Sequence, residues 1–217
     1  DATVLAGTAK GTVSMAASSP LSQWNVVPEA SLLCVPGLFE SVEEFNTFLD
    51  QGYRDTLEEY YRQAGLYLVA CTAVSDQVLT SKQPIRQMED FSGMVMGMEN
   101  NPALAAYWNA LGMQVQVVEP SQIYRALNQE QISAQVSSYE RFLNQELYQY
   151  QRNLIPLNFS LEIETVVMNL EQFEALALRE QQWIRKLGAL MEESFSAASA
   201  EEQEPVDYEA HQVTCTY

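Results

Sequence analysis

Residues 82–138 read KQPIRQMEDFSGMVMGMENNPALAAYWNALGMQVQVVEPSQIYRALNQEQISAQVSS, and the fold is decided there. Residues 94–98 form a short apolar run between Gly93 and the polar triplet Glu99-Asn100-Asn101. Asn101 suits a helix N-cap and Pro102 its first turn, whose N–H has no intrahelical partner. Leu104, Tyr107, Trp108 and Leu111 then recur at helical spacing, and Gly112 supplies a left-handed stop. Residues 113–118 alternate around Val115 and Val117 as a strand does, and a second short helix and a further strand follow. A strand, a crossover helix and a strand in so few residues predict a parallel sheet with a right-handed connection. The helix N-terminus at Asn101 then lies at the carboxyl edge of that sheet, where open α/β folds bind ligands.

The flanks continue the alternation. Residues 5–9 end a helix, and residues 13–17 form a strand that leaves the sheet at Ser18-Ser19-Pro20. A short strand is predicted over 32–35, ended by Pro36-Gly37. Ser41 opens a helix whose first-turn acids, Glu43 and Glu44, suit its dipole, with Phe45, Phe48 and Leu49 on the inner face. A second helix covers 53–64 and stops at Gly65. Residues 66–71 are a continuous apolar run, as in a strand buried on both faces. Downstream, the pattern predicts a helix over 139–150 and a strand over 157–169. One long helix is predicted over 171–198, with Phe173, Leu176, Ile184, Leu187, Met191 and Phe195 near a 3.6 period. Helix–strand alternation of this kind is α/β.

Composition narrows the function. The 217 residues carry 11 Lys+Arg against 29 Asp+Glu, a net charge of −18 that repels phosphate backbones and excludes a nucleic-acid partner. Cys34, Cys71 and Cys215 stand far apart, the first two in apolar runs that read as buried small hydrophobes, and no disulfide framework or metal site follows. His211 is the sole histidine, so Ser–His and His–metal chemistry is not expected. No cofactor motif is present. No apolar run reaches the length of a membrane span. Asp76, Glu99 and Glu140 are the acids nearest the expected ligand edge, and nothing pairs them as a catalytic acid and base. Trp108 reads as core, Trp24 as packing under a loop, and Tyr124 as structural. The chain begins at Asp1 without a signal-like segment, as a mature or partial chain would.

In order, these segments resemble the solute-binding proteins of TRAP (tripartite ATP-independent periplasmic) transporters. AKGTVSMAASSP resembles the family's "a-G-x-v-D-m" strand, and VVPEASLLCVPGLFES its "P-E-f-x-x-x-x-l-P-f-l-F". GLYLVACTAVSDQVLTSKQPIRQMEDFSGM is similar to the segment ending in "S-x-x-P-I-x-x-x-x-D-l-x-G-l". ALGMQVQVVEPSQIYRALNQEQISAQVSS resembles "a-l-G-a-x-p-x-x-x-x-x-e-v-Y-x-A-L-q-x-G-x-v-D-G-q-E-N". VVMNLEQFEALALREQQWIRK looks like the strand and long helix that link the lobes. The match is colinear over most of residues 1–195. It implies a two-lobed α/β fold of the periplasmic-binding-protein type, with mostly parallel sheets and a long helix between the lobes. The lobes would be residues 1–72 and 73–157, with 158–200 as linking strand and helix and 201–217 as an acidic tail.

The resemblance implies a non-enzymatic protein that captures a small solute in an inter-lobe cleft and docks on TRAP permease subunits, periplasmic or lipid-anchored at the cell surface. It also implies that the family's first strand–helix–strand and its last helices are missing from this chain. Carried over position by position, the ligand-binding residues are Ser19, Gln77, Gly97, Asn100 and Ser137. Only Asn100 keeps the family's residue type. The carboxylate-clamping Arg is Gly97 here, the second Arg falls on Gln77 (or, shifted by one, on Asp76), and Ser137 stands in place of an Asn. Loss of both arginines removes the bidentate fork on which carboxylate recognition depends. The expected ligand is therefore neutral, polar or cationic. A second reading is a truncated or degenerate relative with an interaction role and no ligand.

Overall fold

A computed structural model describes residues 2–200 and 213–215; His211 and the acidic stretch from residue 201 lie outside them. The chain opens with α1 (Ala2–Ala9) and β1 (Met15–Ser18), after which α2 (Pro28–Ser31), α3 (Val42–Phe48) and α4 (Arg54–Gln63) lead into β2 (Leu66–Ser81). Next come β3 (Val95–Met98), α5 (Pro102–Ala110), β4 (Gln114–Val117), α6 (Ile123–Asn128), β5 (Ala134–Ser138) and α7 (Tyr139–Asn144). Then β6 (Asn153–Asn169), α8 (Leu170–Ala175), α9 (Leu178–Ala200) and the short β7 (Thr214–Cys215) complete it. Strand order is β1-β6-β2-β5-β3-β4, with β7 beside β6. The class is α/β and the sheet is mixed. β3 runs parallel to β4, the pairing expected of residues 82–138, and also to β5, while β2 meets β5 and β1 meets β6 antiparallel.

Two compact units share this chain: residues 1–75 with 161–202, and residues 76–160 with 203–217. In the first, Phe45, Leu49, Leu57, Tyr61, Leu66, Leu68, Ile163 and Val167 make the core. Ser41 starts α3 as expected, its Oγ accepting the Glu44 N–H at 3.1 Å while the Glu44 carboxylate accepts the Glu40 N–H at 2.7 Å. Gly52, at φ 108°, makes the turn into α4. The strand predicted over 32–35 is instead a single 3-10 turn, Leu32–Cys34, that continues α2. Pro28 has already started a helix there, and the turn buries Leu33 while Leu32 stays in solvent. Cys71 is buried as expected; Cys34 is only half-buried.

The single helix predicted over 171–198 is broken. Leu176 is extended (ψ 149°), and the Ala177 N–H donates to Glu180 Oε2 at 2.8 Å, so α9 starts afresh with its own cap. β5 pairs only with residues 77–81 of β2, leaving the first half of β2 without a strand neighbour on that side among the described residues. α9 covers that edge, which would otherwise present unpaired backbone groups. Glu192 Oε1 accepts the Cys71 N–H at 2.7 Å, and both Glu192 oxygens accept from the Arg54 guanidinium at 2.9 Å. Burial opposes charge on Arg54, but the Glu192 hydrogen bond and charge outweigh it and raise its pKa. At Gly188 the helix lies so close that a Cβ would run into the Val69 carbonyl oxygen.

In the second unit, Val78, Val118, Leu127, Ile132, Phe142, Leu147 and Leu154 form the core. Asn101 Oδ1 accepts the Leu104 N–H at 3.0 Å and caps α5, with Pro102 in the first turn, and Trp108 is buried. The helix predicted over 139–150 ends early. Glu146 takes a left-handed conformation (φ 52°) that turns the chain into a 3-10 turn, Leu147–Gln149, and sends Leu147 into the core.

Candidate functional site

In the second unit the register brings three of the expected site positions onto adjacent strands. Gln77 pairs with Ser138, Val78 with Ser137, and Gly97 with Gln135. Because side chains alternate along a strand, Gly97, Gln135 and Ser137 share one face with Val78 and Thr80, and Gln77 projects from the other. The shared face carries a closed polar network. Gln135 Nε2 donates to Thr80 Oγ1 at 2.9 Å and to Ser137 Oγ at 3.3 Å, and Thr80 Oγ1 donates to Gln151 Oε1 at 2.7 Å. Gln151 Nε2 donates to the carbonyls of Thr80 (3.2 Å) and Ser133 (3.3 Å). All four side chains are buried. Gln77 is half-buried, and its Oε1 accepts the Ser160 hydroxyl at 2.6 Å.

Gly97 is buried, and the space a side chain would need is occupied. A Cβ there would meet the Ile132 Cδ1 and lie 3.0 Å from Ile132 Cγ2. At the carboxyl end of β3, Asn100 is exposed and Glu99 half-buried. Burial holds the Glu99 carboxyl above the usual carboxylate range; Glu119 adds to the shift and Arg141 opposes it.

Ser19 belongs to the first unit. Its Oγ accepts the Leu21 N–H at 3.3 Å and caps a 3-10 turn, Pro20–Gln23, at the end of β1. Beneath that turn, Gln23 Nε2 donates to Ser18 Oγ at 2.9 Å and Thr165 Oγ1 at 2.6 Å, and the Tyr61 hydroxyl donates to Gln23 Oε1. Gln23 and Tyr61 are fully buried, and burial pushes the Tyr61 hydroxyl far above its ordinary pKa, so it stays a neutral donor. Ser19, Gln77 and Asn100 thus keep polar groups near solvent, whereas Ser137 is committed to an internal network. Sequence reasoning missed Gln23, Thr80, Gln135 and Gln151. The available signal was a polar residue on the core phase of a strand, as Thr80 stands two residues from buried Val78. No group of acids, cysteines or histidines among the described residues could hold a metal, and no described helix is long and apolar enough to cross a membrane.

The model of the bacterial extracellular solute-binding protein family 7 (DctP) matches residues 1–212. This chain belongs to that family. Among curated relatives, a solute-binding protein of Sulfitobacter sp. is 24% identical over 159 residues, covering 73% of this chain and 48% of its own length. The periplasmic ectoine-binding protein TeaA of Halomonas elongata superimposes with a TM-score of 0.88 at 21% identity, over 98% of this chain and 71% of TeaA. A TRAP periplasmic solute-binding protein of Desulfovibrio desulfuricans, with bound sn-glycerol-3-phosphate, gives a TM-score of 0.91 at 21% identity over 99% of this chain and 70% of that one. At such identities the likeness is one of fold. The chain spans about half the length of the curated relatives it matches, 48% of the Sulfitobacter protein and 54% of TeaA.

Proposed function

We propose that this family 7 chain is the solute-capturing part of a TRAP-type extracytoplasmic receptor, periplasmic or held at the cell surface, that delivers its solute to membrane permease subunits. The observation that carries the reading is the family match over residues 1–212, in a fold of the same kind as TRAP solute-binding proteins. We assign solute contacts to Ser19, Gln77 and Asn100; Gly97 and Ser137, on the sheet face opposite Gln77, would act only through the strands that carry them. Binding rather than catalysis is favoured by the family model, which is one of solute-binding proteins. Asp76 is exposed, and Glu140 accepts from Asn144 at 3.2 Å, as solvated carboxylates do.

The solute of this reading lacks a carboxylate or phosphate. Some relatives hold anions, such as L-gulonate and sn-glycerol-3-phosphate. Here the position expected to carry a clamping arginine is Gly97, and Ile132 fills the room that such a side chain would use. A charge-assisted fork contributes about 1.5–3 kcal/mol, so its loss weakens an acid by roughly ten- to a hundredfold. Thermal-shift measurement with matched pairs (aldonate and alditol, amino acid and amide) tests this. The neutral or cationic member should stabilise the protein and the acid should not. A second reading, an interaction protein without a solute, is favoured by the hydrogen bonds that already engage Ser137 and Gln77. It predicts no shift with any member of the panel.

A further inference from the structure

Helix α9 meets its own unit along a narrow line. Gly188 lies against Val69, Glu192 binds Arg54 and Cys71, and Ile184 and Met191 are half-buried beside them. The opposite side faces water: Trp183, Leu187 and Leu190 are 57%, 45% and 48% exposed. Their i, i+4, i+7 spacing sets them in one stripe over two turns. Two charges flank the stripe on one side, Lys186 before its centre and Glu193 after it, while Glu192 faces the sheet and Glu180 lies in the helix's first turn. Lys186 and Glu193 are both exposed, and being seven residues apart they sit on the same flank. Neither makes an ion pair with a described residue.

We infer that this face docks on the same face of a second copy of the chain, the two α9 helices antiparallel about a twofold level with Ala189 and Leu190. In that register each Lys186 stands opposite the other copy's Glu193, and the twofold makes both pairs at once. Leu187 and Leu190 pack at the crossing, with Trp183 at either end. Parallel pairing would instead set lysine against lysine and glutamate against glutamate. Exposed pairs of this kind fix direction and register more than strength, and the apolar stripe supplies the attraction.

Sedimentation velocity over a concentration series tests the pairing. The expected result is a reversible monomer–dimer equilibrium that Leu190→Glu abolishes. Lys186→Glu should weaken it roughly tenfold, since symmetry turns both pairs into repulsions, and adding Glu193→Lys to that variant should restore it. All three substitutions are at exposed positions, so thermal unfolding of the monomer should not move. A monomer at every concentration up to the solubility limit overturns the inference, as does a dimer indifferent to Leu190→Glu or one the charge exchange fails to restore. Shielding of Trp183 from a fluorescence quencher in a monomer would mean that another part of the protein covers this face, and would overturn it too.

Discussion

At the scale of single residues, Gly97 and Gln23 carry the most weight. Gly97 sits where Ile132 leaves no room for a Cβ, so Gly97→Ala should destabilise the second unit by about 1–3 kcal/mol, and Ile132→Val should recover part of that loss. Denaturant unfolding of the two variants and their combination would measure it. Tyr61→Phe removes the donor to Gln23 Oε1 inside a buried network and should cost about 1–3 kcal/mol by the same method. Glu99 gives a pH prediction. Its carboxyl titrates above the ordinary range in the fold, so its contribution is fully present below the unfolded pKa and is lost as pH rises through the folded one. Glu99→Gln should therefore raise the melting temperature at neutral pH, with the gain vanishing below the ordinary glutamate pKa of about 4.3. The identity of Gly97 was legible in the chain; Ile132 as its occupant was not, because the two meet only when β3 and β5 pair. The closed network around Thr80 was hidden for the same reason.

Elements were legible where local chemistry alone sets them. Asn101-Pro102 starts α5 and Ser41 starts α3 because each cap acts within three residues. The failures came where tertiary demands overrode a local pattern. Leu187 and Phe195 continue the apolar period of residues 171–198, yet both are exposed, and it is Gly188 and Glu192 that face the sheet. A helix covering a strand edge needs close approach and a backbone acceptor, which an apolar period does not encode. Gly188→Ala should cost about 1–3 kcal/mol in spite of alanine's better helix propensity, because the methyl meets a carbonyl that cannot leave the sheet. Glu192→Ala leaves Arg54 and the Cys71 N–H without their partner and should cost about 2 kcal/mol, at the lower end for a buried pair because both side chains are partly exposed. Hydrogen exchange at Cys71 would report the second change locally.

For the whole molecule, the α/β class and the family could be read from colinear segments, because these follow the order of strands and helices and tolerate substitution at the site. The solute could not, because all but Asn100 of the residues expected to recognise it depart from the pattern the resemblance implies. Family 7 membership together with Gly97, Gln77 and Ser137 leads to one central claim, a receptor for a solute without an acid group. Native mass spectrometry of the purified chain, with release and identification of whatever small molecule it carries, tests that claim most directly. A single polar, neutral or cationic solute is the predicted result; a bound carboxylate or phosphate ester would contradict it.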